Sequence, residues 1–355
     1  TNNYFVLFGG GQWGRIVVSE LDKITQHKIK WITNHNYERN NKWLLKNKCN
    51  NIVIQKSISR NVIVKANAIF LINATAERIL FIDKIKHERV DLFLEKPVGW
   101  NFAEVQKLKR EAKLNSSLIY INLEFYFDKV FSRIASQINH IKINKIDFLW
   151  QDANRSADKK FQKRADFESP IALDHFPHIW SILKLLGVKI DQMKLKNVNY
   201  CNNNSVLIQL NCKEIFTQVT LSRRGKVRQR RIVINDNIII DFSNDKVIYR
   251  NASLNQVKNY KIKKGNVKRS VDAFLKGIDQ RKHQINSLEN NMKMLKISHK
   301  IQERVDKKIL KLLMSNTSKI GLKNSYLFNA CEDYFLPKYR HQKRKSLNMG
   351  NIDYK

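Results

Sequence analysis

Residues 9–14 of the chain read GGGQWG, which has the spacing G-x-G-x-x-G. They follow an apolar run and precede a helical pattern, the setting that a dinucleotide-binding turn requires. In such a turn Gly9 allows the tight bend, Gly11 lets the backbone approach a pyrophosphate, and Gly14 lets the helix pack closely on the strand. The helix N-terminus adds N–H donors and positive potential. The predicted cofactor contacts in this turn are Gly9, Gly11, Gln12, Trp13 and Gly14.

The position that would recognise the ribose carries no acidic residue. A carboxylate that accepts from the 2′-hydroxyl is expected about twenty residues after the turn, where this chain has Thr33 and Asn34. Without an acid to repel a 2′-phosphate, we predict NADPH rather than NADH, with Thr33, Asn34 and Arg39 as phosphate contacts. The alternative is that Asn34 binds a plain ribose, in which case both NADP and NAD would be used.

Two further motifs carry groups that can move protons. The Glu95-Lys96-Pro97 motif follows a predicted parallel strand, at the edge where ligands of open α/β sheets bind, so Glu95 and Lys96 are predicted cofactor contacts. A lysine there can donate to a reacting carbonyl or alkoxide. Asp174 and His178 are four residues apart near a predicted helix start, so both can face one cleft, with histidine exchanging a proton. Each also has a structural explanation: a surface lysine, a capping aspartate and a packed histidine.

The elements that would position these groups fall into two patterns. Residues 1–124 alternate apolar runs with helical stretches, which predicts a parallel sheet with helices on both faces, a Rossmann domain. The predicted strands are residues 4–8, 29–33, 52–55, 68–73, 91–94 and 118–123, and the helices are residues 16–21 and 105–112.

Residues 125–308 predict an α+β domain that binds the substrate. Strands at residues 193–200, 206–211, 215–222, 228–234, 238–242 and 247–250 alternate in period two, which predicts one large, open, mostly antiparallel sheet. A strand at residues 141–151 and helices at residues 127–138, 177–187, 271–278 and 288–305 complete the domain. The 177–187 helix is predicted to begin at Pro177, and residues 309–355 are predicted to be a solvated, basic extension.

Charge and cysteine content restrict the function classes. The chain has 66 Lys and Arg against 31 Asp and Glu, a net charge of +35. These residues are spread along the chain together with many Asn and Ile, and no nucleic-acid motif is recognised. We therefore attribute the charge to composition and predict neither a nucleic-acid nor a membrane partner. The four scattered cysteines form no metal pattern, so we predict no metal, a reducing compartment and a cytoplasmic location.

The glycine turn, the EKP motif and the D-x-x-x-H pair, in this order, resemble the glucose–fructose oxidoreductase / inositol dehydrogenase (Gfo/Idh/MocA) family. The resemblance covers residues 3–308 and implies hydride transfer between NAD(P) and a sugar or cyclitol carbon. It implies that Lys96, Asp174 and His178 are catalytic and that the bond before Pro97 is cis. It also implies a homodimer or homotetramer.

Several details refine the resemblance. With Trp13, the glycine turn has the form G-x-G-x-W-G, which resembles the turn of the family branch that acts on nucleotide-linked sugars in surface-polysaccharide synthesis. Asn73 and Ala74 stand where the family has Thr-Pro beside the nicotinamide, so Asn73 is a further predicted cofactor contact. Phe176 replaces a glycine, and Tyr126 replaces an arginine. The basic residues before the Asp/His pair either hold a pyrophosphate or carboxylate or only share the basic excess of the whole chain; they are Arg155, Lys159, Lys160, Lys163 and Arg164.

The sequence therefore predicts an NAD(P)-dependent oxidoreductase that acts on a sugar, nucleotide sugar or cyclitol. One alternative is a reductase of another C=O or C=N intermediate. Another is a non-catalytic protein that binds nucleotides or polyanions on the same fold.

Overall fold

The computed structural model of this chain describes residues 4–33, 36–49, 51–153, 169–201, 204–261, 265–316, 325–346 and 352–353. The chain forms two compact units, each described here by itself. The first unit comprises Thr1–Phe127, Gly265–Met292 and His341–Lys355, and the second comprises Asp128–Lys264 and Lys293–Arg340.

The elements follow in chain order. The first part contains β1 (Tyr4–Phe8), α1 (Gln12–Asp22), β2 (Lys28–Ile32), α2 (Tyr37–Asn47), β3 (Ile52–Gln55), β4 (Ile58–Ser59), α3 (Arg60–Val64), β5 (Ala68–Leu71), α4 (Thr75–Ile85), β6 (Leu92–Leu94), α5 (Phe102–Leu114) and β7 (Ile119–Ile121). The middle part contains α6 (Lys129–Ile138), β8 (Lys145–Ala153), α7 (Ile171–Leu185), β9 (Lys194–Cys201), β10 (Ser205–Cys212), β11 (Ile215–Gly225), β12 (Gln229–Ile234), β13 (Ile238–Asp241), β14 (Lys246–Asn251) and β15 (Gln256–Lys261). The last part contains α8 (Asn266–Gln280), α9 (Leu288–Met314), α10 (Ser325–Ser346) and β16 (Ile352–Asp353).

The first unit is built on a six-stranded parallel sheet with the order β3-β2-β1-β5-β6-β7. Every residue of β5, β6 and β7 is buried, as expected for parallel strands that are covered on both faces. The strand order reverses between β1 and β5, which places a crevice outside the carboxyl ends of these strands. This sheet confirms the predicted Rossmann-type architecture.

Helix α8 completes the core of the first unit, although it is far from β1–β7 in sequence. The Phe274 ring lies 5.3 Å from the ring of Phe70 and 5.5 Å from that of Phe93, measured between centroids. Both partners belong to central strands of the parallel sheet. The first core is therefore assembled from two distant parts of the sequence.

The second unit contains an eight-stranded sheet with the order β15-β14-β13-β12-β8-β11-β10-β9. Along β8, Ile146, Phe148 and Trp150 are buried and alternate with half-buried residues, so one face of the sheet is covered. Helix α7 is joined to α9 by a hydrogen bond of 3.1 Å from Trp180 Nε1 to Ser298 Oγ. This sheet confirms the predicted open, mostly antiparallel architecture.

One strand pair departs from the antiparallel prediction. β8 and β11 run parallel, with Trp150 opposite Leu221. Alternation in period two is the same in both orientations, so the sequence pattern could not distinguish them. The pattern also missed β15, β4 and β16.

The predicted start of α7 was wrong. The helix begins at Ile171, after Pro170, and contains Pro177 in its interior. Pro170 gives the same start signal seven residues earlier, and the apolar residues that follow it extend the helix. The Pro177 carbonyl accepts a hydrogen bond of 2.7 Å from Ser181 Oγ. Asp174 and His178 consequently lie inside the helix, one turn apart.

The prediction of a solvated C-terminal extension was also wrong for the part that the structure describes. Residues 325–346 form α10, in which Leu327 and Ala330 are buried. Asp333 accepts hydrogen bonds from Tyr200 and Arg224, at 2.7 and 3.0 Å. The segment has so many charged residues that its apolar positions were not recognised as one face of a helix. None of the helices in the described ranges has both the length and the apolar character to cross a membrane.

A buried histidine in α9 predicts a loss of stability in acid. His299 is 5% exposed, and burial lowers its pKa to about 4. The unfolded chain therefore binds a proton more readily than the folded chain, and stability is lost as the pH falls from about 6.5 towards 4, by about 3 kcal/mol in total. We expect His299→Gln to flatten this decline in urea unfolding, whereas His283→Gln, at an exposed position, should leave it unchanged. Equal declines in all three proteins would contradict the prediction.

Candidate functional site

The glycine turn joins β1 to α1 at the crevice of the parallel sheet. Gly9 has a φ of +132°, and a Cβ there would lie 2.8 Å from the carbonyl carbon of Ile72. A Cβ on Gly14 would lie 1.9 Å from the Gly9 carbonyl oxygen, so helix and turn approach too closely for any other residue. Trp31 Nε1 donates to that same oxygen at 2.8 Å. The turn is thus held in one conformation by β2 and by the close approach of α1.

Gly11 faces open space instead. It is the N-cap of α1 with a φ of −80°, and a Cβ there would meet no atom within 4 Å. The first-turn N–H groups of α1 have no acceptor within the helix and carry its positive end. An anionic group such as a pyrophosphate fits the space above Gly11.

The far side of the turn is held by Asn40 of α2. Its Nδ2 donates to the Gly10 carbonyl and to Thr33 Oγ1, both at 3.1 Å. Arg15 donates to Asn40 Oδ1 at 3.1 Å. Thr33 is buried, with 3% exposure, and its hydroxyl holds the Asn40 amide in position through this hydrogen bond. Asn34 lies outside the described residues.

Two arginines lie close together beside this network. Burial and then the charge of Arg39 lower the pKa of Arg15 below its ordinary value. Among the described residues, neither Arg15 nor Arg39 forms an ion pair. This concentration of positive charge beside the turn suits a phosphate group.

The ends of β5 and β6 carry the next group of predicted residues. Asn73 follows β5, and its buried Oδ1 has no hydrogen-bond partner. Glu95 is buried and accepts from Asn122 Nδ2 at 2.8 Å. Burial raises the pKa of Glu95, although the charge of the half-buried Lys96 and the Asn122 hydrogen bond oppose the rise. The Lys96–Pro97 bond is cis, which confirms the prediction.

Arg78 of α4 connects these two strand ends. It is 1% exposed and donates to the Asn73 carbonyl at 2.9 Å and to the Pro97 carbonyl at 2.6 Å. A third hydrogen bond of 3.0 Å goes to Thr75 Oγ1. Burial lowers the pKa of Arg78 to about 10, so it remains a cation at neutral pH. Arg78 therefore holds in place the backbone at Asn73 and at Pro97, the residue that follows Lys96.

The second unit contains the Asp/His pair in the first turns of α7. Asp174 Oδ2 lies 3.3 Å from Arg223 and 3.5 Å from His175 Nδ1. The His178 ring stacks on Trp150, with 5.5 Å between centroids and an interplanar angle of 9°. Both α7 residues therefore face the covered side of the second sheet, at the carboxyl end of β8.

Asp152 at the end of β8 links this helix to the sheet. It accepts from His175 Nε2 and from Arg230, both at 2.9 Å. Burial alone would raise the pKa of Asp152, but the hydrogen bond and charge of His175 and the charge of Arg230 outweigh it and keep the pKa well below its ordinary value. Asp152 is therefore ionised throughout the neutral range.

The structure brings the predicted cofactor residues of the first unit to one edge of the parallel sheet. Gly9, Gly11, Gln12, Trp13 and Gly14 follow β1, Thr33 follows β2, Asn73 follows β5, and Glu95 and Lys96 follow β6. Asp174 and His178 lie in the second unit. Arg155, Lys159, Lys160, Lys163 and Arg164 lie outside the described residues. The sequence analysis missed Arg15, Asn40, Arg78, Asp152, Arg223 and Arg230, of which only Arg78, a charge within the apolar face of a helical pattern, had a local signal.

Comparison with solved structures identifies the fold. A Gfo/Idh/MocA family oxidoreductase from Vibrio cholerae matches with a TM-score of 0.65 and 13% identity, covering 88% of this chain and 99% of that chain. The chain has the Gfo/Idh/MocA fold. No protein-family model and no curated protein matches it by sequence.

Two other matches have defined activities. UDP-N-acetylglucosamine 3-dehydrogenase GnnA from Acidithiobacillus ferrooxidans has a TM-score of 0.64 and 13% identity, covering 87% of this chain and 99% of that chain. Biliverdin reductase from Synechocystis, in complex with biliverdin and NADP+, has a TM-score of 0.67 and 11% identity, covering 86% and 99%. At these identities the likeness concerns the fold.

Proposed function

We propose that this protein is an NADP(H)-dependent oxidoreductase that transfers hydride between nicotinamide and a secondary alcohol or ketone of a sugar, nucleotide sugar or cyclitol. The observation that carries the proposal is the glycine turn, with open space above Gly11 at the switch point of a parallel sheet. The fold is shared with a dehydrogenase named for a nucleotide sugar. This supports the substrate class.

The residues at the sheet edge fit a nicotinamide dinucleotide. Gly11 and the first-turn N–H groups of α1 would hold the pyrophosphate. The buried Asn73 Oδ1, which has no partner, is an acceptor suited to the N–H groups of the carboxamide. The bound nicotinamide would supply or take up the hydride at its C4 carbon.

The chain's own residues would handle the proton and the substrate oxygen. We assign His178 as the acid/base that exchanges the hydroxyl proton, because an imidazole titrates near neutral pH. Lys96 would act as a hydrogen-bond donor to a substrate oxygen, the role that the resemblance implies. Asp174 orients His178 or binds a substrate hydroxyl.

The first test is a fluorescence titration of wild type, Gly11→Asp and Gly11→Asn with NADPH and NADH. Both substituted residues suit the φ of Gly11 and can cap α1, so both variants should fold. Asp places a carboxylate where the pyrophosphate would bind, and we expect it to abolish binding, whereas Asn should weaken it less. Failure of the wild type to bind either dinucleotide would overturn the proposal. The alternative function would then be a non-catalytic protein that binds polyanions through its net charge of +35.

The cofactor preference follows from the arginines beside the turn. We expect Arg39→Gln to raise the Kd for NADPH by about 10- to 100-fold, the loss of one charge-assisted contact, and to leave the Kd for NADH within about twofold. Arg89→Gln, an exposed arginine of the same unit, is the control and should change neither. Equal wild-type affinity for the two cofactors would refute the assignment.

A reductase of a non-sugar C=O or C=N bond is the second candidate, because a biliverdin reductase has the same fold. The same lysine and histidine would then donate the proton. A panel of sugar and non-sugar substrates, monitored by NADPH absorbance, separates the two.

A further inference from the structure

The segment 223–230, from the end of β11 to the start of β12, is rich in arginine. Four of its eight residues are Arg223, Arg224, Arg228 and Arg230. β11 and β12 lie on either side of β8, parallel and antiparallel to it, so this segment crosses the carboxyl end of β8. Arg230 is paired with Trp150, which contacts His175 and His178 of α7. The Arg230 side chain therefore lies on the same covered face as the proposed acid/base.

Three of these arginines have carboxylate partners. Arg230 pairs with Asp152 at 2.9 Å, Arg223 with Asp174 at 3.3 Å, and Arg224 with Asp333 at 3.0 Å. These contacts neutralise both half-buried carboxylates, Asp152 at the end of β8 and Asp174 in the first turn of α7. The remaining arginine of the 223–230 segment is thus in excess.

Arg228 is that excess cation. It precedes Gln229, the partner of Gln151, and therefore lies beside Asp152. Arg228 forms no ion pair with any residue in the described ranges, and its buried Nε has no hydrogen-bond partner. Burial and the charge of Arg230 lower the pKa of Arg228 to about 10, although Asp152 and the exposed Asp245 oppose this. Arg228 is therefore a half-buried cation at neutral pH.

Such a cation is unfavourable unless something binds it. Removing a charge from water without a partner costs free energy, and of the three guanidinium groups here only Arg223 and Arg230 form ion pairs with a carboxylate. Folds tolerate a local conflict of this kind chiefly at functional sites. A guanidinium group binds carboxylates and phosphates through paired N–H donors.

We propose that Arg228 binds an oxyanion, a carboxylate or a phosphate, that is part of the substrate. This inference rests on the proposed function, because it places the anion on the molecule that His178 would act on. Trp150 links the arginine segment to the proposed acid/base. Its ring stacks on His178 and lies 3.9 Å from the guanidinium carbon of Arg230, which is two residues after Arg228. The substrate class thereby narrows to acidic or phosphate-bearing sugars, and neutral sugars and cyclitols are excluded.

The test uses the full-length protein with three probes: glucuronate, inorganic pyrophosphate and neutral glucose. Thermal melting and calorimetric titration are measured for wild type, Arg228→Gln and Arg231→Gln. Arg231 is an exposed arginine on the opposite face of the same strand. We expect an anionic probe to raise the wild-type Tm and glucose to leave it unchanged. Because pyrophosphate can also bind at the Gly11 turn, only a response that Arg228→Gln loses is assigned to Arg228: such a response to glucuronate alone identifies a carboxylate, and such a response to pyrophosphate alone identifies a phosphate.

Arg228→Gln should lose this response, with a Kd at least about 10-fold higher. Its Tm without ligand should equal or exceed that of the wild type, because a half-buried charge without an ion-pair partner has been removed. Arg231→Gln should respond like the wild type. The proposal is overturned if Arg228→Gln binds both anions as the wild type does, or if Arg231→Gln loses as much affinity. An NADPH titration of the same samples tests the proposed function separately, since the cofactor site does not include Arg228.

Discussion

His178→Asn is expected to lower kcat by about 10²–10⁴-fold, while the affinity for NADPH stays within about twofold. Asparagine preserves the planar shape that stacks on Trp150, but it cannot exchange a proton near neutral pH. Hydride transfer to or from an alcohol requires that exchange. The loss should therefore appear in kcat rather than in KM.

The comparison is made with the sugar substrate found in the panel, by following NADPH absorbance across a range of pH. In the wild type, kcat should change with pH as one group titrates, and this change should be absent from His178→Asn. His283→Asn, at an exposed position, is the matched control and should keep full turnover. A His178→Asn protein with wild-type kcat would remove this residue from the mechanism.

Much of the first unit could be predicted from sequence because its signals are local. The glycine turn and the apolar runs of β1 and β3 each lie within a few residues, and their hydrophobic periods define them. The Lys96 position followed from the end of one such run. The bounds of α7 failed because two prolines, Pro170 and Pro177, carry the same start signal, and only tertiary packing chooses between them.

The polar networks could not be predicted, because their members are distant in sequence. Asp152 meets Arg230 across 78 positions, and Arg223 meets Asp174 across 49. No local pattern contains either pair. In a chain with 66 Lys and Arg, the sequence does not show which arginine forms an ion pair. The arrangement of β8 beside β11 and β12 creates these contacts. Sequence thus supplied the candidate acid/base, whereas its charged surroundings depend on sheet topology.

Arg78 is the position in the first unit where we expect the largest loss of stability. Arg78→Met should lower the free energy of unfolding by about 3–5 kcal/mol, as for other buried cations removed from their partners. The change leaves the carbonyls of Asn73 and Pro97 without their guanidinium donor in a buried site. Arg110→Met, on the exposed face of α5, should change stability by no more than about 0.5 kcal/mol. Urea unfolding measures both.

The effect of Arg78→Met should also depend on pH, through Glu95. Because burial raises the folded-state pKa of Glu95, its ionised form opposes folding, and this penalty grows as the pH rises through that pKa. The charge of Arg78 reduces the penalty, so the loss in Arg78→Met should be larger at about pH 8 than at about pH 5. Adding Glu95→Gln should remove the pH dependence and restore part of the stability, a coupling that a double-mutant cycle measures. If the two substitutions are additive at every pH, Arg78 acts only through its hydrogen bonds to the backbone and not through the Glu95 charge.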